Sequence, residues 1–354
     1  MHKITKNLLE WYNVSQRDLP WRNVNDPYKI WLSEVILQQT RVDQGTQYYL
    51  RFIENYPSVH DLANAPEEEV LKLWQGLGYY SRARNLHKAA QEVCREHKGI
   101  FPNTAHELVK LRGIGPYTAA AVASIAYNDP VPVVDGNVNR VITRLFNIHA
   151  PIDKADGKGQ VLHAMQALLP PTRPGEFNQA VMELGALICA PKNPQCTACP
   201  VQSFCLALSS RAVLDLPVKS LKTKVTDLYM HYIVIQMEGD YLVRQRVEPG
   251  IWHNLYDFPS AEGANPKEAL TQLQNVFDAL PESHNARQTS EESLHLLSHR
   301  RLHITFHVIH YENAEEISWP NTRLVSQDAL MQLPVPRIIE KFLPFIFASS
   351  PAGE

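Results

Sequence analysis

Leu111-Arg112-Gly113-Ile114-Gly115-Pro116-Tyr117-Thr118 is the stretch on which the reading of this chain turns. It joins two helical segments, and its glycines free backbone N–H groups that point towards the start of the second helix. Such a terminus attracts anions, because unpaired donors and the helix dipole face outward together, and a DNA phosphate fits there. A plain helix–helix turn would use glycine in the same places. Twenty residues beyond Gly115, Val133-Val134-Asp135-Gly136-Asn137-Val138 sets an acid after an apolar run. Asp135 equally suits the N-cap of a helix that begins at Gly136.

Outward from this hairpin, the first 210 residues read as helical. Pro66 to Trp74, Arg82 to His97 and Gly159 to Leu169 carry apolar residues at three and four spacing between Gly and Pro stops. Asp26 before Pro27 predicts a helix start, with the side chain as cap and the ring tolerated in the first turn, so Glu34 falls well inside a helix. Between Ser209 and Val225 the periodicity lapses and lysines gather, which marks a linker. Tyr229 to Met237 then alternates in part, Gly239-Asp240 supplies a turn and Tyr241 to Gln245 returns as a second strand. Pro266 to Leu280 reads as helix, Leu302 to Tyr311 as strand and Ile338 to Phe347 as a closing helix, an α+β module of ordinary domain size. The expected organisation is a helical region over 1–208, a linker over 209–225 and a second domain over 226–354.

With 354 residues, 44% of them apolar, the chain is long enough for two cores. It has no long apolar run and its first residues lack the apolar segment of a signal peptide, so a cytoplasmic address is expected, nucleoid-associated in a bacterium. The net charge of −3 conceals an asymmetry: residues 1–225 carry 25 Lys and Arg against 20 Asp and Glu, and residues 226–354 carry 9 against 17. Charge therefore permits a local DNA-binding patch in the first part without a strong overall field.

Cys189, Cys196, Cys199 and Cys205 lie within one short segment, while Cys94 stands apart. Disulfides are disfavoured in a reducing compartment, so metal ligation is the better reading. Four thiolates suit zinc or an iron–sulfur cluster, and ligand chemistry alone does not choose between them. Cys94, on a helix of mixed apolar and charged residues, reads as a reduced, partly buried thiol.

Hairpin glycines, the Val-Asp-Gly-Asn-Val run and the four-cysteine loop together resemble the helix-hairpin-helix DNA glycosylases of the endonuclease III superfamily, over about residues 5–208. Within this region Leu19-Pro20-Trp21-Arg22, Trp31-Leu32-Ser33-Glu34-Val35-Ile36-Leu37-Gln38-Gln39-Thr40 and Gly76-Leu77-Gly78-Tyr79-Tyr80-Ser81-Arg82-Ala83-Arg84-Asn85-Leu86 are similar to the MutY branch, the adenine DNA glycosylases. The resemblance implies an all-α glycosylase domain of two helical lobes whose four cysteines hold a 4Fe-4S cluster. Bifunctional relatives carry a lysine nucleophile where this chain has Tyr117, and a phenol forms no Schiff base. A monofunctional glycosylase that leaves an abasic site is therefore implied, acting in base excision repair on double-stranded DNA with adenine opposite 8-oxoguanine or guanine, as a monomer.

Releasing adenine leaves an electron-poor sugar and an anionic base, so the chemistry needs a proton donor at the base and negative charge near the sugar. The resemblance gives Glu34 the first role, at adenine N7, and Asp135 the second, with Tyr117 positioning the pair. Ile30 and Leu37 share the helical face of Glu34 and would raise its pKa by desolvation. Since the adenine must be flipped out of the duplex, Gln39 and Tyr79 match family positions that fill the gap beside 8-oxoguanine. Trp21, Arg22 and Gln179 match positions lining the adenine pocket. Gly113 and Gly115 would hold a phosphate, and Gly76 to Leu86, with Arg82 and Arg84, is expected to face the DNA backbone.

Residues 226–345 resemble a Nudix-like lesion-recognition domain through Tyr241-Leu242-Val243-Arg244-Gln245-Arg246 and Trp252-His253-Asn254-Leu255-Tyr256-Asp257-Phe258-Pro259. No acidic metal-binding helix lies between Ser260 and Glu282, so pyrophosphate hydrolysis is not expected. Family members carry Phe-Ser-His at the lesion-reading hairpin, where this chain has Leu297-Ser298-His299. Ser298 and His299 retain hydrogen-bonding capacity towards the damaged base. Two other functions share this frame, a glycosylase for thymine or uracil opposite guanine and a non-catalytic iron–sulfur DNA-binding protein.

Overall fold

A computed structural model of the chain describes residues 2–220, 225–278, 280, 284–290, 292–297, 299–311 and 319–348, with backbone alone for 284–288. Its contacts divide the chain into two compact units, one of residues 1–65 and 85–222, the other of residues 66–84 and 223–354.

In chain order the helices up to residue 209 are α1 (Lys3–Ser15), α2 (Pro27–Leu37), α3 (Val42–Asn55), α4 (Val59–Asn64), α5 (Glu67–Trp74), α6 (Ser81–His97), α7 (Ala105–Leu108), α8 (Pro116–Tyr127), α9 (Gly136–Phe146), α10 (Ala155–Leu168), α11 (Pro174–Leu187) and α12 (Leu206–Ser209). Their starts follow the capping chemistry read from the sequence: the Asp26 carboxylate accepts from Tyr28 N at 3.0 Å with Pro27 in the first turn, and Asp135 accepts from Val138 N at 2.6 Å. Asn128 and Asn147, both left-handed, close α8 and α9.

Within the first unit, α8 is buried along most of its length by Ala119 to Ala123, and these small side chains let α2, α7 and α11 approach it closely. One core joins Leu8 of α1, Ile142 of α9, Met165 of α10 and Phe177 and Val181 of α11. Each such side chain contributes about 1.5–3 kcal/mol by leaving water. At Gly185 the backbone of α11 comes so near α9 that a Cβ would lie 2.6 Å from that of Asn137. The stretch 209–220 is anchored, since Leu216 is buried and Val218 O accepts from Ile152 N at 3.0 Å.

The second unit is a mixed sheet of β1 (Thr226–Met237), β2 (Asp240–Gln245), β3 (Tyr256–Asp257), β4 (Ser260–Gly263), β5 (His284–Thr289), β6 (Ser293–Leu296), β7 (Arg300–Tyr311) and β8 (Thr322–Val325), with α13 (Pro266–Asp278), α14 (Gln327–Gln332) and α15 (Arg337–Ala348). β1 and β7 run parallel at its centre from Thr226↔Arg300 to Met237↔Tyr311, and the other pairings are antiparallel. Ile233, Ile235 and Ile309 pack with Leu273 of α13, whereas Phe306 points the other way and stacks on Phe342 of α15 at 4.3 Å. A strand covered on both faces loses clean alternation, which is why β1 reads only partly alternating. Residues 66–84 join this unit through Lys72 Nζ, which donates to Met331 O at 2.6 Å, and Tyr80 Oη, which donates to Val335 O at 3.2 Å.

Candidate active site

A cleft of about 740 Å³ in the helical unit is lined by Glu34, Tyr117 and Asp135, together with Trp21, Arg22, Gln39, Gly113, Gly115 and Gln179. These residues come from five stretches of chain between positions 21 and 179, and the hairpin 111–118 supplies one wall. Gly113 sits at φ +72°, and a side chain there would press to 2.5 Å from Asn85 Cβ, so glycine is needed both for the turn and for packing. Gly115 is different: nothing lies within 4 Å of where its Cβ would be, and α8 has no side-chain cap. The start of α8 thus has room beside it for an anion at Gly115.

Tyr117 Oη donates to Glu34 Oε2 at 2.6 Å and touches Met182 Sδ at 3.7 Å. Burial pushes the Glu34 carboxyl above the usual carboxylate range and the nearby Asp135 charge pushes it the same way, against the Tyr117 hydrogen bond and the Arg22 charge. Burial raises Asp135 too, but more donors hold its ionised form. Val138 N and Asn137 Nδ2 donate to its two oxygens at 2.6 and 2.9 Å, and the Arg140 charge helps. More donors thus favour the ionised form at Asp135 than at Glu34. Asp135 caps α9 and lines the cleft at once, so serving as the cap leaves its side chain at the cleft wall.

Trp21 is buried edge-on against Tyr49 at 5.2 Å and presents only part of its ring to the cleft. Arg22 is held by Tyr12 Oη, Gln179 Oε1 and, at 3.0 Å, Glu183 Oε2, while its Nε is buried without a partner among the described residues. Gln179 lines the cleft between α11 and Arg22. Gln39, exposed just past the end of α2, has φ +58°, a left-handed backbone uncommon for glutamine.

Tyr79 and His299 belong to a separate cleft of about 440 Å³ in the second unit, with Gly78, Trp252, Leu297 and Arg337. Ser298 lies outside the described residues. Tyr79 has φ +45° and stands 44% exposed, unusual for a bulky residue on both counts. Arg82 and Arg84, expected to face DNA phosphates, each donate to backbone carbonyls of the second unit. Arg82 Nη2 donates to Leu77 O and Gly78 O at 3.3 and 3.4 Å, its guanidinium stacks over Trp74 and Tyr79, and burial lowers its pKa to about 10. Arg84 donates to His253 O at 2.7 Å. Arg82 braces the Gly76–Tyr80 loop, where Trp74 Nε1 also donates to Gly78 O at 3.1 Å, whereas Arg84 ties the start of α6 to His253.

Cys189, Cys196, Cys199 and Cys205 line one small cavity, all as free thiols. Among the described residues no three His, Cys, Asp or Glu side chains gather closely enough for a single metal ion. Burial pushes the Cys199 thiol up to about 11, and raises Cys205. Arg144, 2% exposed, stitches this segment together: it donates to Ala190 O at 2.8 Å, Pro191 O at 3.0 Å and Leu216 O at 3.1 Å, and reaches Cys189 Sγ at 3.3 Å.

The sequence reading missed Arg144, Asn137, Arg17 and Glu183. Asn137 stood beside Asp135 in the quoted motif and was legible as a donor two residues on. Arg17, Arg144 and Glu183 carry no local signal, since each looks like an ordinary charged residue until long-range packing supplies its partners.

The helical unit is of a defined class: residues 32–171 match the HhH-GPD superfamily base excision DNA repair protein model, and residues 231–344 match the NUDIX domain. A solved thermostable thymine-DNA glycosylase aligns with 58% of this chain and 95% of its own at 28% identity, with a TM-score of 0.53. Among curated relatives, the adenine DNA glycosylase of Buchnera aphidicola subsp. Acyrthosiphon pisum (strain APS) is 33% identical over 96% of this chain and 97% of its own length. Those of Arabidopsis thaliana and Homo sapiens are each 35% identical, over 97% and 84% of this chain, and the matches span 64% and 65% of the relatives' own length. The chain belongs to the adenine DNA glycosylase family.

Proposed function

We propose that this protein hydrolyses the N-glycosidic bond of adenine mispaired with 8-oxoguanine or guanine in double-stranded DNA, as a monomer and without cutting the strand itself. The observation that carries the chemistry is the shared cleft of Glu34 and Asp135, hydrogen-bonded to a tyrosine on one side and to an amide donor set on the other. Glu34 gives its proton to the departing base and then orients water, Asp135 stabilises the cationic sugar, and Tyr117 fixes the Glu34 carboxyl. Arg22 and Gln179, which line the same cleft, flank the place of the flipped base.

The lesion reading rests on Gln39 and Tyr79, exposed polar and aromatic side chains each on a left-handed backbone, a strain that suits wedges presented to a duplex. His299 adds a hydrogen-bonding group in the Tyr79 cleft. The test is a duplex panel. Adenine opposite 8-oxoguanine will become alkali-labile at the adenine strand, adenine opposite guanine more slowly, and thymine or uracil opposite guanine not at all. Preferential release of thymine or uracil would overturn this reading in favour of the rival mismatch activity, and no release from any duplex would favour a non-catalytic DNA-binding role.

The four thiols fit a 4Fe-4S cluster: they share one cavity, none pairs in a disulfide, and Arg144 offers a cation against the net charge of thiolate ligands. When bound, the cluster would clamp the loop 189–205 onto α9 as a structural centre. Replacing Cys199 by Ser will lower iron and acid-labile sulfide in the purified protein to well below the wild-type content. Zinc in place of iron would overturn the cluster assignment.

A further inference from the structure

Beside the catalytic pair lies a third buried acid that the reaction as described does not use. Glu183 on α11 is 1% exposed and accepts four hydrogen bonds: from Arg17 N at 3.0 Å, Arg17 Nε at 2.7 Å, Arg17 Nη2 at 2.8 Å and Arg22 Nη2 at 3.0 Å. One carboxylate thus serves two guanidinium groups. Arg22 in turn faces Glu34, where its charge favours the ionised carboxylate and so works against the proton the acid must carry. An arginine with no counter-charge would oppose that proton more strongly.

We propose that Glu183 is a positioning residue for the glycosylase reaction, holding Arg22 at a fixed place beside Glu34 and offsetting its charge there, with Arg17 as the counterweight that keeps Glu183 from neutralising Arg22 completely. The inference rests on the reading of Glu34 as the acid. Charge accounts for the arrangement better than packing alone. A buried carboxylate between two arginines needs its whole donor set: Arg17 binds both oxygens, and Arg22 shares Oε2 with it. The other groups that bear on the balance are Tyr117 from α8 and Asp135 at the head of α9, which face Glu34, and Tyr12 from α1, which accepts from Arg22. Asp43 acts on Arg17, Glu176 on Tyr12 and Arg140 on Asp135.

The experiment is the pH profile of single-turnover adenine release from an adenine:8-oxoguanine duplex, measured between about pH 5 and pH 9 for the full-length wild type, Glu183→Gln, Arg17→Gln and the double variant. Glu183→Gln removes a negative charge, so the alkaline limb will move down by about half a unit or more, a loss of about three- to tenfold on that limb. Arg17→Gln leaves Glu183 to Arg22 alone, so its limb will move up. The double variant will return close to wild type. Opposite signs and mutual cancellation are what a purely structural role would not produce. Limbs that move together, or coincide with wild type in both single variants, overturn the proposal. If Glu183→Gln does not fold, as circular dichroism would show, the upward shift in Arg17→Gln and its reversal in the double variant decide alone. A wild type that releases no adenine, or release that survives Glu34→Gln, removes the underlying reading and this inference with it. A normal Glu34 dependence with unmoved limbs removes only the inference.

Discussion

Glu34→Gln will lower single-turnover adenine release by roughly a thousandfold or more, about 4 kcal/mol of transition-state stabilisation, while the duplex still binds. The size follows from what the amide cannot do. Gln keeps the volume and can still accept from Tyr117 Oη, now 2.6 Å from Glu34 Oε2, but it has no acidic proton for the base. The pH profile of the unaltered protein carries the same information with a definite sign. The Glu34 pKa is raised by burial and, in the mechanism proposed, its protonated form is the active one, so activity will hold below that raised value and fall as pH climbs through it. Asp135 must be ionised and is raised as well, so the acid limb lies above the range of an ordinary aspartate. Release of adenine by Glu34→Gln at the wild-type rate would remove Glu34 from the acid role.

Much of this site was legible before any fold was known, for a physical reason. Helix caps, turn glycines and apolar periodicity are local, so Asp26, Gly113 and Asp135 announce their surroundings within a few residues. The mutual approach of Glu34, Tyr117 and Asp135 is long-range and came from the family resemblance, not from spacing. What stayed hidden was of two kinds. The half-buried Arg17 and the buried Arg144 act through carbonyls and carboxylates far along the chain, and nothing beside them in sequence marks that use. The short strands β4, β6 and β8 have four residues each, too few for a period of two to stand out. Arg82 and Arg84 carry a signal of another kind: cations beside glycines suggest phosphate contacts, while Arg82 also satisfies carbonyls of the adjoining loop and Arg84 the carbonyl of His253.

Asp135 supplies the test that separates chemistry from architecture, because one side chain carries both. Asn is as good an N-cap as Asp, so in Asp135→Asn the amide oxygen can go on accepting from Val138 N and α9 keeps its start. Its NH2 then meets Asn137 Nδ2, which donates at 2.9 Å to the carboxylate, and Asn137 is not free to turn over since its Oδ1 already accepts from Arg140 Nη2 at 2.8 Å. One strained hydrogen bond costs about 1 kcal/mol, a shift of a few degrees in Tm. The reaction loses far more: without a negative charge beside the developing sugar cation, release will slow by about a hundred- to a thousandfold. Asp135→Ala removes the cap as well, adding about 1 kcal/mol of instability without slowing the chemistry much further. The two variants should therefore share a rate defect and differ in Tm. If Asp135→Asn instead kept near-wild-type rates and only Asp135→Ala were slow, the aspartate would be a cap and nothing more, and the sugar cation would need another source of negative charge in the cleft.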